Sequence, residues 1–388
     1  MKPETVIVNA GRDPEANHGI VNPPVYHAST VLFETLEALN GASGKDYRQV
    51  VYGRYGTPTT FALQEAMAAL EGGDWAITCG SGKAAIATVL MAFLEAGDHI
   101  LITDSAYQPT RNLALGMLKR FGVETTFYDP MIGAGIANLI QDNTRIVYTE
   151  SPGSITFEIQ DLPAIAEAAH DRDAIVLCDN TWGAGYFYRP IALGADISIQ
   201  AATKYIVGHS DAMLGVATAR EKHMDRLWHA FTTLGNNVGP DDAYLGQRGL
   251  RTLAVRLDRH YENAMKVAAW LSERPEVIRV LHPALPEHPG HDIWRRDFTG
   301  ASGLFGILVK PVDDAALATM LDGLELFGMG YSWGGYESLI VPCDLSRARA
   351  ITPWQEDGVL LRLHVGLEDP DDLIADLDAG FGRLAAAV

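Results

Sequence analysis

Six short apolar runs, separated by stretches of helical periodicity, constrain this 388-residue chain more than any other feature. They are DWAITC (74–79), HILITD (99–104), ETTFYD (124–129), TRIVYTES (144–151), AIVLCDN (174–180) and ADISIQAA (195–202). Helical patterns such as KAAIATVLMAFLEAG (83–97) and PAIAEAAHD (163–171) lie between them. Near-continuous apolar strands joined by helices predict a mostly parallel sheet covered on both faces, an α/β fold. Ligands of such sheets bind at the carboxyl ends of the strands, so chemistry is expected just after each run.

The flanks differ in character. Residues 1–55 contain NPPVYHAST (22–30), where prolines and β-branched residues break helical periodicity, so this part is expected to be an extended N-terminal arm. A helix is predicted over TPTTFALQEAMAALEGG (57–73), with Thr57 as cap, Pro58 in the first turn and Gly72–Gly73 as the stop. Beyond about residue 250 the order becomes a long amphipathic helix, the run LFGILVK, a helical DDAALATMLDGL and the run VLLRLHVG. That pattern predicts a smaller α+β domain over 251–388, beside a ligand-binding α/β domain over 56–250. Two domains also suit a chain of this length.

Composition removes several classes of function. The formal net charge of −19 leaves no concentrated basic face, so a nucleic-acid partner is not expected. No apolar run reaches the ~20 residues that cross a bilayer, and the first residues lack the pattern of a signal peptide. Cys79, Cys178 and Cys343 are far apart and read as buried free thiols, which fits a reducing cytoplasm. His282, His288 and His291 share the loop HPALPEHPGH, but no metal site is expected there. His209 reads as a structural hydrogen-bonding residue.

Three strand ends carry the chemistry. After the first run, Gly80-Ser81-Gly82-Lys83 opens a helix, and free backbone N–H groups there suit a phosphate. A nucleotide P-loop would need Gly at 77 and Ser or Thr at 84, where Ile77 and Ala84 stand. Asp179 ends a buried run and needs a cationic or hydrogen-bonding partner, which a protonated pyridine nitrogen could be. Taken alone it could equally cap the next turn. Lys204 follows the next run, 25 residues on, with no acidic residue within four positions, so its amine could lose its charge and act as a nucleophile. A lone lysine there is more often a surface residue. Phosphate turn, acid and lysine in this order form the plan of a pyridoxal-phosphate (PLP) site.

In the segments YGRYGTPT (52–59), DSAYQPT (104–110), ESPGSITFE (150–158), DNTWGAG (179–185), SIQAATKYIVGHSDAM (198–213), GYSWGGYESL (330–339) and RLHVGLED (362–369), the chain resembles the Cys/Met-metabolism family of PLP-dependent enzymes, and its β-lyase branch in particular. The resemblance implies fold type I (aspartate-aminotransferase-like), the transferase fold of PLP enzymes. It implies Lys204 as the residue that forms a Schiff base with PLP, Asp179 as the partner of the ring nitrogen, and Tyr107 as the aromatic that stacks on the ring. Gly82, Lys83 and Thr203 would hold the phosphate, joined by Tyr52 and Arg54 of a neighbouring subunit. Lys204, Tyr107 and Tyr52 would take part in catalysis. Arg362 would clamp the substrate carboxylate, with Ser332, Trp333, Tyr107 and Tyr55 lining the substrate. The implied reaction is α,β-elimination of L-cystathionine to L-homocysteine, pyruvate and ammonia, by a cytoplasmic homotetramer.

Two positions depart from the family pattern. Position 55 is Tyr where a second Arg often stands, which bears on the distal carboxylate of the substrate. Lys83 stands where small or apolar residues are usual. The alternatives are a β-lyase preferring cystine, cysteine or an S-substituted cysteine, and γ-chemistry on cystathionine or methionine. SWGG at 332–335 and ESPGSITFE look like the β-lyase version of the family's segments.

Overall fold

The computed structural model describes residues 1–42, 47–345 and 348–387. Residues 43–46 of the expected arm lie outside the described residues. The arm is not extended throughout. Helices α1 (Pro3–Asn9) and α2 (Leu36–Gly41) occur in it, while residues 10–35 between them, NPPVYHAST included, are free of helix and strand. Pro3 starts α1, buried Ile7 anchors it, and Arg251 donates to the Ile7 carbonyl at 2.6 Å. Tertiary contact thus supports a helix within a stretch expected to be extended.

Next come α3 (Pro58–Glu71), β1 (Trp75–Cys79), α4 (Gly82–Phe93), β2 (His99–Thr103), α5 (Gln108–Leu113) and β3 (Glu124–Tyr128). The chain continues through β4 (Thr144–Glu150), α6 (Leu162–His170), β5 (Ile175–Asp179), β6 (Ile197–Gln200) and β7 (Gly215–Ala219). At the start of α3 the Thr57 N–H donates to the Thr60 hydroxyl, and Gly72 ends the helix at φ +78°. Each of the six apolar runs forms a strand.

The seven strands lie in the order β1-β7-β6-β5-β4-β2-β3. Pairs β2–β3, β2–β4, β4–β5 and β5–β6 are parallel, while β7 runs antiparallel to both β6 and β1. Strand β7, GVATA, is too poor in large apolar residues to stand out in the sequence. Its Gly215 is required by packing, since a Cβ there would lie 2.1 Å from the Ser81 carbonyl oxygen.

Helices α7 (Glu221–Leu234), α8 (Pro240–Leu250) and α9 (Leu253–Ser272) lead to a second sheet. It is built from β8 (Val277–Leu281), β9 (Leu304–Val309), β10 (Leu339–Cys343) and β11 (Val359–His364), with α10 (His291–Asp297), α11 (Asp314–Leu321) and α12 (Pro370–Ala387) interspersed. The order is β10-β11-β9-β8, antiparallel throughout. Val267 and Leu271 of α9, Phe305 of β9 and Phe381 of α12 share one buried cluster behind it. A mostly parallel sheet with a smaller α+β unit is the architecture expected. Among the described residues no helix is long and apolar enough to cross a membrane.

Candidate active site

The carboxyl ends of β4, β5 and β6 come together because the strands run parallel. Glu150 and Asp179 are register partners at the ends of β4 and β5, and Asp179 faces Ile199 across β6. Asp179 is buried, at 7% exposure. Its Oδ1 accepts from the Thr181 N–H at 3.1 Å and the Thr181 hydroxyl at 2.6 Å, and its Oδ2 accepts from the Tyr148 hydroxyl at 3.3 Å. Burial pushes its carboxyl up; these donors and the nearby Lys204 charge pull the other way.

Lys204 lies four residues past the end of β6, in the turn that leads away from the sheet. Its Nζ donates to the Ser332 hydroxyl and sits 5.5 Å from the centre of the Trp333 ring. Burial, reinforced by the Arg362 guanidinium and opposed by Asp179, lowers the Lys204 ammonium to about 8. That leaves about a tenth of the amine neutral at pH 7, far more than for an ordinary lysine, and a nucleophile or base needs the neutral form.

Arg362, on β11, reaches the same place from the small sheet, and its Nη2 donates to the Ser332 carbonyl at 3.2 Å. Ser332 adopts φ +80°, a left-handed conformation that costs energy in a residue with a Cβ. The segment is held from behind. The Gly334 N–H donates to Nε2 of buried His364 at 3.1 Å, and His364 Nδ1 donates to the Glu337 carbonyl. Gly334 also packs against the lysine itself: a Cβ there would meet the Lys204 Cα at 3.0 Å.

Tyr107 stands at the start of α5, its side chain exposed, with its backbone N–H on Glu150 Oε2 at 2.7 Å. Burial, followed by the charge of Asp179, raises its hydroxyl. A narrow cavity lined by Glu150, Asp179, Thr181, Trp333 and Arg362 runs between these groups.

The turn between β1 and α4 lies beside them. Ser81 caps α4 by accepting the Ala84 N–H at 3.1 Å. A Cβ on Gly82 would lie 2.5 Å from that of Ala201, so only glycine lets the turn dock this close to Lys204. The first-turn N–H groups of Gly82 and Lys83 have no partner within the helix and are available to an anion. The Lys83 side chain is exposed. The Thr203 hydroxyl exchanges two bonds with Leu214, accepting its N–H at 2.8 Å and donating to its carbonyl at 3.1 Å.

Tyr52, Arg54 and Tyr55 form a separate group against α7. Arg54 donates to the Thr232 carbonyl and stacks 4.6 Å from the centre of the Tyr55 ring, which packs edge-on against Trp228. Tyr52 is exposed. No hydrogen bond or ring contact among the described residues joins this group to Lys204.

The family model for "Cys/Met metabolism PLP-dependent enzyme" matches residues 4–382. The chain belongs to this family. It is 49% identical to "Cystathionine beta-lyase MetC" of Escherichia coli (strain K12), over 99% of each chain. It is 47% identical to "Cystathionine beta-lyase" of Salmonella typhimurium, over 98% of each. The crystal structure of metB from Corynebacterium glutamicum superposes with a TM-score of 0.91 at 32% identity, covering 99% of this chain and 98% of that one.

The site fits the cofactor of a Cys/Met-metabolism enzyme. Buried Asp179 has Lys204 as a nearby cation, Gly82 leaves a close approach open at a helix start, and Tyr107 presents an exposed ring. Glu150, Gly334 and His364 were not singled out from the sequence, although Glu150 ends an apolar run just as Asp179 does. The histidines serve structural roles: His282 and His288 accept backbone N–H groups, and His209 donates to the Val207 carbonyl. Among the described residues no group of three could hold a metal.

Proposed function

We propose that this PLP-dependent lyase cleaves the Cβ–S bond of L-cystathionine, yielding L-homocysteine, pyruvate and ammonia. The observation that carries this reading is Lys204: a partly neutral amine held between Ser332 and Trp333, within electrostatic reach of Asp179 and Arg362.

When bound, PLP supplies an electron sink conjugated to the substrate Cα, which no side chain offers. Lys204 would anchor its aldehyde, Asp179 would face the ring nitrogen as an anion, and Tyr107 would stack on the ring. The N–H groups of Gly82 and Lys83 would hold the phosphate, and Thr203 would join them by releasing the Leu214 carbonyl. Arg362 would take the substrate carboxylate through its forked N–H groups, with Ser332 and Trp333 closing the wall. Lys204 Nζ would then accept the Cα proton, and its place beside Ser332 fixes the direction of approach.

Tyr52 and Arg54 would act from a second copy of the chain. Leu32 is 89% exposed and Leu36 71%, as an arm that packs on another subunit would be. A cytoplasmic tetramer with shared sites accommodates this.

Tyr55 favours a second reading. It packs on Trp228 beneath Arg54 and brings no cation of its own for a second carboxylate. A lyase preferring cystine, cysteine or an S-substituted cysteine would not need one. Cystathionine, cystine and methionine assayed in parallel separate these possibilities. Pyruvate formed fastest from cystathionine is the expected result. Faster pyruvate release from cystine moves the assignment to the second reading, and 2-oxobutyrate as the main product overturns β-elimination.

A further inference from the structure

Glu150 has no part in the steps above, yet it lines the same cavity at 9% exposure and ends β4 directly opposite Asp179. Its Oε2 holds the Tyr107 N–H at 2.7 Å. Arg349, whose charge favours the Glu150 carboxylate, is committed elsewhere, to the Thr156 hydroxyl and to Glu158 at 2.7 Å. Asp179 is better supplied, with two donors from Thr181, one from Tyr148, and the Lys204 charge nearby.

Two adjacent carboxyl groups at dry strand ends resist double ionisation, and the proton goes to the one with the weaker supply of donors and cations. The titratable and charged groups around Glu150 include Asp179 and Cys178 on β5, Tyr148 on β4, Tyr107 at the start of α5, Arg349 from the 348–352 segment, and Arg362 on β11, which lines the same cavity. Burial first, then the Asp179 charge, drive the Glu150 carboxyl well above its ordinary range, against the Tyr107 N–H, the Ser154 hydroxyl and Arg349.

We propose that Glu150 is a neutral positioning residue: it keeps the proton of the Glu150–Asp179 pair, leaves Asp179 as the anion, and pins the Tyr107 main chain. The inference rests on the reading of Asp179 and Tyr107 as cofactor-binding residues.

The test uses the PLP-loaded enzyme and two readouts besides activity: the pH midpoint of the cofactor's visible absorbance, and the PLP dissociation constant from equilibrium dialysis. Glu150→Gln keeps a neutral acceptor and is expected to leave the midpoint where it is. Glu150→Ala removes the acceptor and is expected to weaken PLP binding about tenfold, the loss of one hydrogen bond to a backbone donor. A midpoint moved by about one pH unit or more in Glu150→Gln shows an ionised Glu150 and overturns the inference, since one unit is the scale of a neighbouring charge. Undiminished PLP affinity in Glu150→Ala overturns the Tyr107 anchor. If Glu150→Ala does not fold, the Glu150→Gln titration decides alone. Asp179→Asn tests the underlying reading separately: unchanged affinity and spectrum there would remove Asp179 from the cofactor, whatever Glu150 does.

Discussion

Asp104 and Asp179 both sit at the carboxyl end of a buried strand, and the chain treats them in opposite ways. Asp104, just past β2, pairs with the buried Arg111 at 2.9 Å. It also accepts the N–H groups of Ala350, Ile351 and Thr352 and the Thr352 hydroxyl, at 2.8–3.1 Å. Burial pushes its carboxyl up, but these donors outweigh burial and hold it at about 2. Asp179 has another acid as its register partner and a partly neutral lysine nearby, and burial wins: its carboxyl is raised. A strand end whose charges are fully matched locks the 348–352 segment to the large sheet. A strand end whose charges remain under-matched is poised to bind and react.

The sharpest way to break this comparison is at Lys204. Lys204→Ala should reduce turnover by roughly 10^3-fold or more, because anchor and base are lost together. Stability should change by less than about 1 kcal/mol, since Nζ contributes a single hydrogen bond, to Ser332. Denaturant unfolding beside steady-state pyruvate release measures both. Turnover near the original value would sink the assignment of Lys204.

Asp104→Ala should do the reverse. It strips Arg111 and four donors of the 350–352 segment of their shared acceptor, and breaking a buried pair from one side costs about 3–5 kcal/mol. The sign with pH follows. Asp104 is held below its unfolded value, so its contribution is present above pH ~4 and disappears as the pH falls through about 2. Denaturant midpoints at pH 7 and near pH 2 should therefore differ for the original chain far more than for the variant. Equal pH sensitivity in the two would remove Asp104 as the latch.

This contrast also marks where the sequence was readable. Six apolar runs became six strands, and Asp179 and Lys204 fell near the ends of two of them, because strand burial and strand order are local patterns. Asp104 ends its run much as Asp179 does, but nothing local marked it as a latch, since apart from Arg111 its donors come from residues 246–248 positions away. Gly334 lay in the SWGG segment with no role assigned: its need to be glycine arises from its left-handed φ of +85° and from the Lys204 backbone, 130 residues earlier in the chain. Strand β7 and helix α1 depend on contacts rather than on composition. The resemblance to the family supplied Tyr107, Arg362 and Ser332, which periodicity alone could not have separated from packing residues.

The mildest prediction concerns how the under-matched end sets the lysine. Capture of PLP by the apo-protein needs the neutral Lys204 amine, so its rate should rise with pH and level off above about 8. Below that value it should fall roughly tenfold per unit, whereas an unperturbed lysine would still be gaining at pH 10. Burial leads this shift and Arg362 adds to it, so Arg362→Gln should move the midpoint upward without restoring it to the ordinary lysine value. Rapid-mixing absorbance over pH 6–10 reads both midpoints. A midpoint near 10 in the original chain would show that the pocket does not desolvate the amine. A downward move in Arg362→Gln would show that the guanidinium does not face it.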